Sequence, residues 1–236
     1  MNRGTCELCL TYRCNVQCAN CSNLCTQAPF VGDLTVNDVQ RFLDEGHLWG
    51  MITLHGGEPV LNPQSKEICA MLAEYKKKVN PEVTLWLLSN NSTPEIRKRI
   101  TFVNTEYDIP LGISTKIGTN RNGAGSDIPY VPVNLSPEDC GAEWKRDGCF
   151  QHYNCGVCFN YLGYFPCSPM AAAARVFGYA GCRTMAEMTD ERILEMFSLH
   201  CRHCGFGFAE ERARVVMQVT SATWEKKLHE YTINHS

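Results

Sequence analysis

Three cysteines fall within eight residues, Cys14-Asn-Val-Gln-Cys18-Ala-Asn-Cys21. Soft thiolates at such spacing select zinc, copper(I) or iron–sulfur clusters. A structural zinc ion wants four ligands, usually as two close pairs, and here it would have to borrow Cys25 or Cys9. A close triplet can instead wrap one cubane and leave its fourth iron open, as a place for reaction. A second pattern is Leu54-His55-Gly56-Gly57-Glu58-Pro59. Its two glycines let backbone approach a ligand closely, and its carbonyls and carboxylate suit an ammonium group. A third pattern is spread out: Cys149, then Cys167 after Gly163-Tyr-Phe-Pro, then Cys201-Arg-His-Cys204. One thiol before a hairpin, one after it and a distant Cys-x2-Cys can close a four-thiolate site. The spacing also admits a zinc ribbon, Cys155-x2-Cys158 with Cys201-x2-Cys204, and Cys155 or Cys158 in place of Cys149 as first ligand.

The elements that must position these groups alternate in the first half. Strands are expected at 7–11, 51–55, 83–88 and 109–114. Helices are expected from the Thr35/Asp38 capping box, around Ile68 to Tyr75, and after the Thr93-Pro94 cap. Strands alternating with helices imply a parallel sheet, and ligands bind at the carboxyl ends of such strands. Both the triplet and the Gly-Gly-Glu-Pro motif follow a strand. The pattern then breaks. A loop rich in Gly and Asn, 116–129, reads either as a surface loop or as a substrate lid, and a fifth strand is expected at 130–135. Residues 1–135 are read as the core. Residues 136–236 are read as a second, smaller region. It holds eight cysteines between Cys140 and Cys204, a hairpin at 156–165, helices at 169–177 and 191–199, a strand at 215–220 and a terminal helix at 224–231.

Composition narrows the function. The 236 residues include 15 cysteines, and the net charge is -3. No basic stripe points to nucleic acid. No apolar run is long enough for a membrane helix, and the N-terminus lacks the apolar stretch of a signal peptide. A cytoplasmic chain follows, where cysteines bind metal or catalyse more often than they form disulfides.

The Cys-x3-Cys-x2-Cys triplet and Gly-Gly-Glu-Pro together resemble the radical S-adenosylmethionine (radical SAM) superfamily, over residues 6–135. The resemblance implies a partial (β/α) barrel, shortened after its fifth strand. It implies that Cys14, Cys18 and Cys21 bind a [4Fe–4S] cluster whose open iron chelates S-adenosylmethionine. Gly56, Gly57 and Glu58 match the contact to the methionine amino group, Ser89 and Asn90 the polar end of the third strand, and Ser114 that of the fourth. Asn20 departs from the aromatic residue usual before the third cysteine. Residues 136–236 resemble a twitch domain, a truncated relative of the SPASM domain. This implies one auxiliary [4Fe–4S] cluster on Cys149, Cys167, Cys201 and Cys204. The size, short barrel and tail resemble the inosamine dehydrogenases of this superfamily. The expected activity is hydrogen abstraction by a 5′-deoxyadenosyl radical from a sugar, cyclitol or amino-acid derivative. The auxiliary cluster would accept an electron, and a flavodoxin or ferredoxin would donate the first one. A peptide maturase, a glycyl-radical activase and a zinc-stabilised interaction module are the competing readings. By position, Lys116, Arg121, Glu143, Lys145, Arg146, His152 and Tyr153 are candidates for a substrate base.

Overall fold

The computed structural model describes residues 4–18, 21–29, 32–114, 133–208 and 220–235. Its first half runs β1 (Thr5–Thr11), α1 (Val36–Asp44), β2 (Met51–Gly56), α2 (Ser65–Lys78), β3 (Thr84–Ser89), α3 (Pro94–Tyr107) and β4 (Leu111–Ile113). The helix starts follow from side-chain chemistry. Thr35 Oγ1 accepts from the Asp38 amide at 3.2 Å, and Asp38 accepts from the Thr35 amide at 2.9 Å. Thr93 accepts from the Ile96 amide at 3.2 Å, with Pro94 opening α3. Each cap satisfies an amide that the helix itself leaves unpaired.

After residue 133 come α4 (Phe150–Cys155), β5 (Val157–Asn160), β6 (Gly163–Phe165), α5 (Ser168–Phe177), α6 (Asp190–His200) and α7 (Ala222–Asn234). Among the described residues all six strands form one sheet in the order β4-β3-β2-β1-β5-β6. Every pairing is parallel except β5–β6. The hairpin expected at 156–165 is therefore present, and its first strand pairs with the free side of β1 in register Glu7↔Cys158.

One expectation changes. The strand expected at 130–135 is not formed in its described part, because Val133 onward is turn and irregular backbone. The next strand of the sheet is β5, beside β1 and not beyond β4. The helix α4, six residues without a side-chain cap, has too little period to be seen in the sequence. The loop expected at 116–129 and residues 215–219 of the strand expected at 215–220 lie outside the described residues.

The two faces of the sheet differ. Leu8, Leu10, Ile52, Leu54, Leu85 and Leu87 are at most 1% exposed and join a core with Val39, Phe42, Ile68, Leu72, Ile96 and Ile100. The alternating positions carry Glu7, Cys9, Thr53, His55, Trp86 and Leu88 on the other face, since neighbours along a strand point to opposite sides. No helix among the described residues is long and apolar enough to cross a membrane.

Candidate active site

The carboxyl ends of β1, β2 and β3 meet at one point. Gly57 N donates to Thr11 O at 2.8 Å, and Glu58 N to Arg13 O at 2.7 Å. These bonds strap the Gly-Gly-Glu-Pro turn to the loop that carries the cysteine triplet. The closeness explains both glycines. A Cβ on Gly56, whose φ is +149°, would stand 2.2 Å from Thr11 O; one on Gly57 would stand 2.2 Å from Arg13 O. The glycines thus admit the cluster loop's own backbone. Asn23 Nδ2 adds a bond to Gly56 O at 2.8 Å.

Glu58 is fully buried. Its Oε2 accepts from Ser89 Oγ at 3.0 Å and from the Asn90 amide at 2.8 Å. Its Oε1 is buried without a hydrogen-bond partner among the described residues. Burial raises the carboxyl above its ordinary range, and the Asn90 and Ser89 bonds to Oε2 only partly offset this. A buried anion with one bare oxygen is costly unless a donor arrives. An ammonium group is such a donor.

Asn90 joins this carboxylate to the triplet. Its Nδ2 lies 3.8 Å from Cys14 Sγ and 2.9 Å from Asn15 Oδ1. Burial raises the Cys14 thiol, and Cys21, Cys18 and Glu58 raise it further as neighbouring negative charges. Cys18, Cys21 and Glu58 are therefore close charged neighbours of Cys14. Ser89 and Asn90 meet Glu58 and Cys14 directly, and with Ser114 they also line an open cavity of about 210 Å³. Gly56, Gly57, Glu7, His55 and Ser168 complete much of its wall.

Cys149 stands at the start of α4, Cys167 at the start of α5, and Cys201 and Cys204 bracket a single 3-10 turn. The Cys167 thiol is pushed well up, first by burial and then by Cys149, Cys204 and Cys201. Cys204 is pushed up to about 12 by burial and then by Cys149. Cys149, Cys201 and Cys204 are thus all charged neighbours of Cys167. Cys158 lies on β5 opposite Glu7 and is raised by burial, Cys9 and Glu7. Cys155 donates to Gln151 at 3.4 Å. Cys149 is also among the neighbours that raise Cys155. Among the described residues no three His, Cys, Asp or Glu side chains converge as a single metal ion requires. Cluster thiolates must stand wider apart, since they bond to separate irons.

Of the candidate bases, Lys116 and Arg121 lie outside the described residues. Glu143, Lys145, Arg146, His152 and Tyr153 do not line the cavity. His152 is buried, with Nδ1 2.9 Å from Pro166 O. Sequence reasoning missed Glu7 and Ser168, and with them Arg175. The Arg175 guanidinium is buried in an Ala-rich helix, 3.6 Å from the Tyr12 ring centroid. It donates to Asn23 O at 3.3 Å and to Ala28 O, both in the cluster loop. An arginine near a helix end reads as a surface residue, so nothing local betrays this role.

Residues 3–112 match the family described as "4Fe-4S single cluster domain". That span contains the triplet, the Gly-Gly-Glu-Pro turn and Asn90. The AdoMet-dependent heme synthase of Methanosarcina barkeri (strain Fusaro / DSM 804) is 32% identical over 93 residues, 39% of this chain and 26% of that protein. The chain thus spans about a quarter of the length of that curated relative. The chain carries a radical SAM core. A [4Fe–4S] cluster and S-adenosylmethionine are the cofactors of this core, and the donor set found here fits both. Among solved structures, the crystal structure of BtrN in complex with AdoMet and 2-DOIA covers 92% of this chain and 97% of its own. Its TM-score is 0.55 at 16% identity, a likeness of fold.

Proposed function

We propose that this radical SAM protein abstracts a hydrogen atom from a small polar molecule held in the cavity at the ends of β1, β2 and β3. The proposal includes a shortened barrel for the core and a twitch-like auxiliary [4Fe–4S] site behind it. Cys14, Cys18 and Cys21 are assigned the radical cluster, and Cys149, Cys167, Cys201 and Cys204 the auxiliary one. When bound, the open-iron cluster and S-adenosylmethionine supply reductive cleavage of the sulfonium to a 5′-deoxyadenosyl radical. The protein's part is orientation. Glu58 receives the amino group on its bare oxygen, while Ser89 and Asn90 hold the other oxygen in place. Asn90 ties that carboxylate to the Cys14 loop, so cofactor and cluster are positioned together. Gly57 keeps the two backbones in contact, and Ser114 lines the far wall. An auxiliary site with four thiolates has no free iron for a ligand, which favours electron acceptance and a net oxidation. The likeness to the fold of BtrN, bound in its structure to AdoMet and 2-DOIA, supports a sugar-like or cyclitol-like substrate. A flavodoxin or ferredoxin is the expected electron donor.

The observation that carries this reading is the buried, unpartnered Glu58 oxygen beside the cysteine triplet. Anaerobic reconstitution tests it. Two clusters give about eight irons per chain, and dithionite with S-adenosylmethionine yields 5′-deoxyadenosine. Ala at Cys14, Cys18 or Cys21 abolishes that product. Zinc in place of iron, or product from the triplet variants, refutes the reading.

A further inference from the structure

A second groove, of about 440 Å³, opens between the first turn of α2 and the first half of α3. α2 follows β2 and α3 follows β3, so both helices start at the carboxyl ends of their strands. The groove therefore lies at the same end of the sheet as the cysteine triplet. Lys66, Lys98 and Arg99 line it, against one carboxylate, Glu95. Arg99 Nε already holds that carboxylate at 2.9 Å. Arg97 precedes them, so three consecutive cations stand on α3 in a chain whose net charge is -3. The patch also has an apolar part. Phe102 is 37% exposed, and Lys66 Nζ stands 4.6 Å from the centroid of its ring.

Hydrogen bonds tie this face to the cluster site. Arg99 Nη1 donates to Val60 O at 3.1 Å, two residues beyond Glu58. Arg97 Nη1 donates to Asn91 O at 3.2 Å, next to the Asn90 that reaches Cys14. Ser92 Oγ accepts from Asn15 Nδ2 at 2.7 Å, and Asn15 is an exposed residue of the cluster loop. Lys66, Lys98 and Arg99 do not line the cavity beside Glu58, so that site gives them no task. Their arrangement does not suit a small phosphate. A phosphate clamp wants a free guanidinium fork, and Arg99 spends its fork on Glu95 and Val60 O. Lysines spread around an exposed aromatic ring suit a broad acidic protein surface, which they would steer and orient.

We propose that the basic groove between α2 and α3 docks an acidic protein that carries single electrons, and that this partner reduces the cluster of Cys14, Cys18 and Cys21. This rests on the radical SAM reading above and names the surface through which its electron arrives. One electron leaves the partner's reduced cofactor and enters the cluster. The partner is oxidised by one and the cluster reduced by one, and no bond forms or breaks in this step.

The test uses the full chain, reconstituted anaerobically, with a flavodoxin and a ferredoxin as probes. Lys66→Glu with Lys98→Glu reverses the charge of the groove. Lys77→Glu with Lys78→Glu makes the same change of net charge at the far end of α2. Calorimetry is expected to show the better probe binding the first variant at least about tenfold more weakly than wild type, and the second within about twofold. Wild-type affinity is expected to fall as salt is raised. The rate of 5′-deoxyadenosine formation driven by the reduced probe is expected to fall with the affinity, while iron content and the dithionite-driven rate stay unchanged. The proposal is overturned if both variants weaken binding equally, since net charge alone would then act, or if the first binds as wild type does. It is equally overturned if a single-stranded oligonucleotide binds more tightly than either probe and loses that affinity in the first variant, since the groove would then serve nucleic acid. Dithionite separates the two levels. If it yields 5′-deoxyadenosine while neither probe binds, only the docking surface falls; if it yields none, the radical reading falls first.

Discussion

Replacing Glu58 with Gln separates the carboxylate's cost from its use. In the free protein Glu58 is fully buried, with Oε1 unpartnered and Oε2 held by Ser89 and Asn90. Its pKa is raised because burial outweighs those bonds. A carboxyl whose folded pKa lies above its unfolded one binds more protons when folded. Stability then falls as pH rises from the ordinary carboxylate range through the raised value. Gln keeps the shape and removes the charge, so the Glu58→Gln apo-protein should melt higher than wild type at pH 8 and show a smaller gap at pH 5. Binding moves the other way. An ammonium donating to a carboxylate is a charged hydrogen bond worth about 1.5–3 kcal/mol. Its loss should weaken S-adenosylmethionine about 10- to 150-fold. Calorimetry on the reconstituted protein reads the affinity, and thermal melts at both pH values read the stability. An affinity within about twofold of wild type, together with an unchanged melting gap, would refute the assignment of Glu58 to the amino group.

Three further outcomes follow from the geometry. Ala at Cys149, Cys167, Cys201 or Cys204 should lower iron from about eight to about four per chain and keep the spectrum of the first cluster, whereas Cys155→Ala and Cys158→Ala should leave iron unchanged; iron analysis with electron paramagnetic resonance decides. Gly57→Ala puts a Cβ 2.2 Å from Arg13 O, so the cluster loop must move, and cluster retention should drop several-fold while circular dichroism stays native. Arg175→Met strips two loop carbonyls and the Tyr12 ring of their cation; unpaired buried acceptors and a lost cation–π contact should together cost about 2–4 kcal/mol in urea unfolding.

What the sequence disclosed was local. The triplet, the Gly-Gly-Glu-Pro turn, the Thr35 and Thr93 caps and the hairpin turn each sit within a few residues of the chemistry that defines them. What it hid depends on distant pairing. Nothing near Val157 says that it will lie beside Cys6, so the alternation alone points to a strand at 130–135. Glu7, His55 and Ser168 are separated by tens of residues and look ordinary one by one. The Cys149 site was legible as a set but ambiguous in its first member, because Cys155 and Cys158 have equally plausible spacing. In the fold Cys158 pairs with Glu7 of β1, while Cys149 stands at the start of α4 as a charged neighbour of Cys167.

The position of β5 bears on how the two halves act together. A tail merely appended to a finished core would leave the cluster loop unchanged if removed. Here β5 pairs with β1, the strand that leads into the triplet, in three consecutive registers. Asn160 at its end donates to Tyr12 Oη at 2.8 Å, and the Tyr12 ring carries the Arg175 guanidinium that reaches Asn23 O and Ala28 O. The loop is thus gripped from one side by the Gly57–Glu58 turn and from the other by residues beyond 150. Ser168 extends the same logic, since it follows Cys167, which we assign to the proposed auxiliary site, and reaches the Glu7 carboxylate inside the cavity. A change at Cys167 therefore has a direct path through Ser168 to Glu7 on the cavity wall, with no need for motion of the sheet.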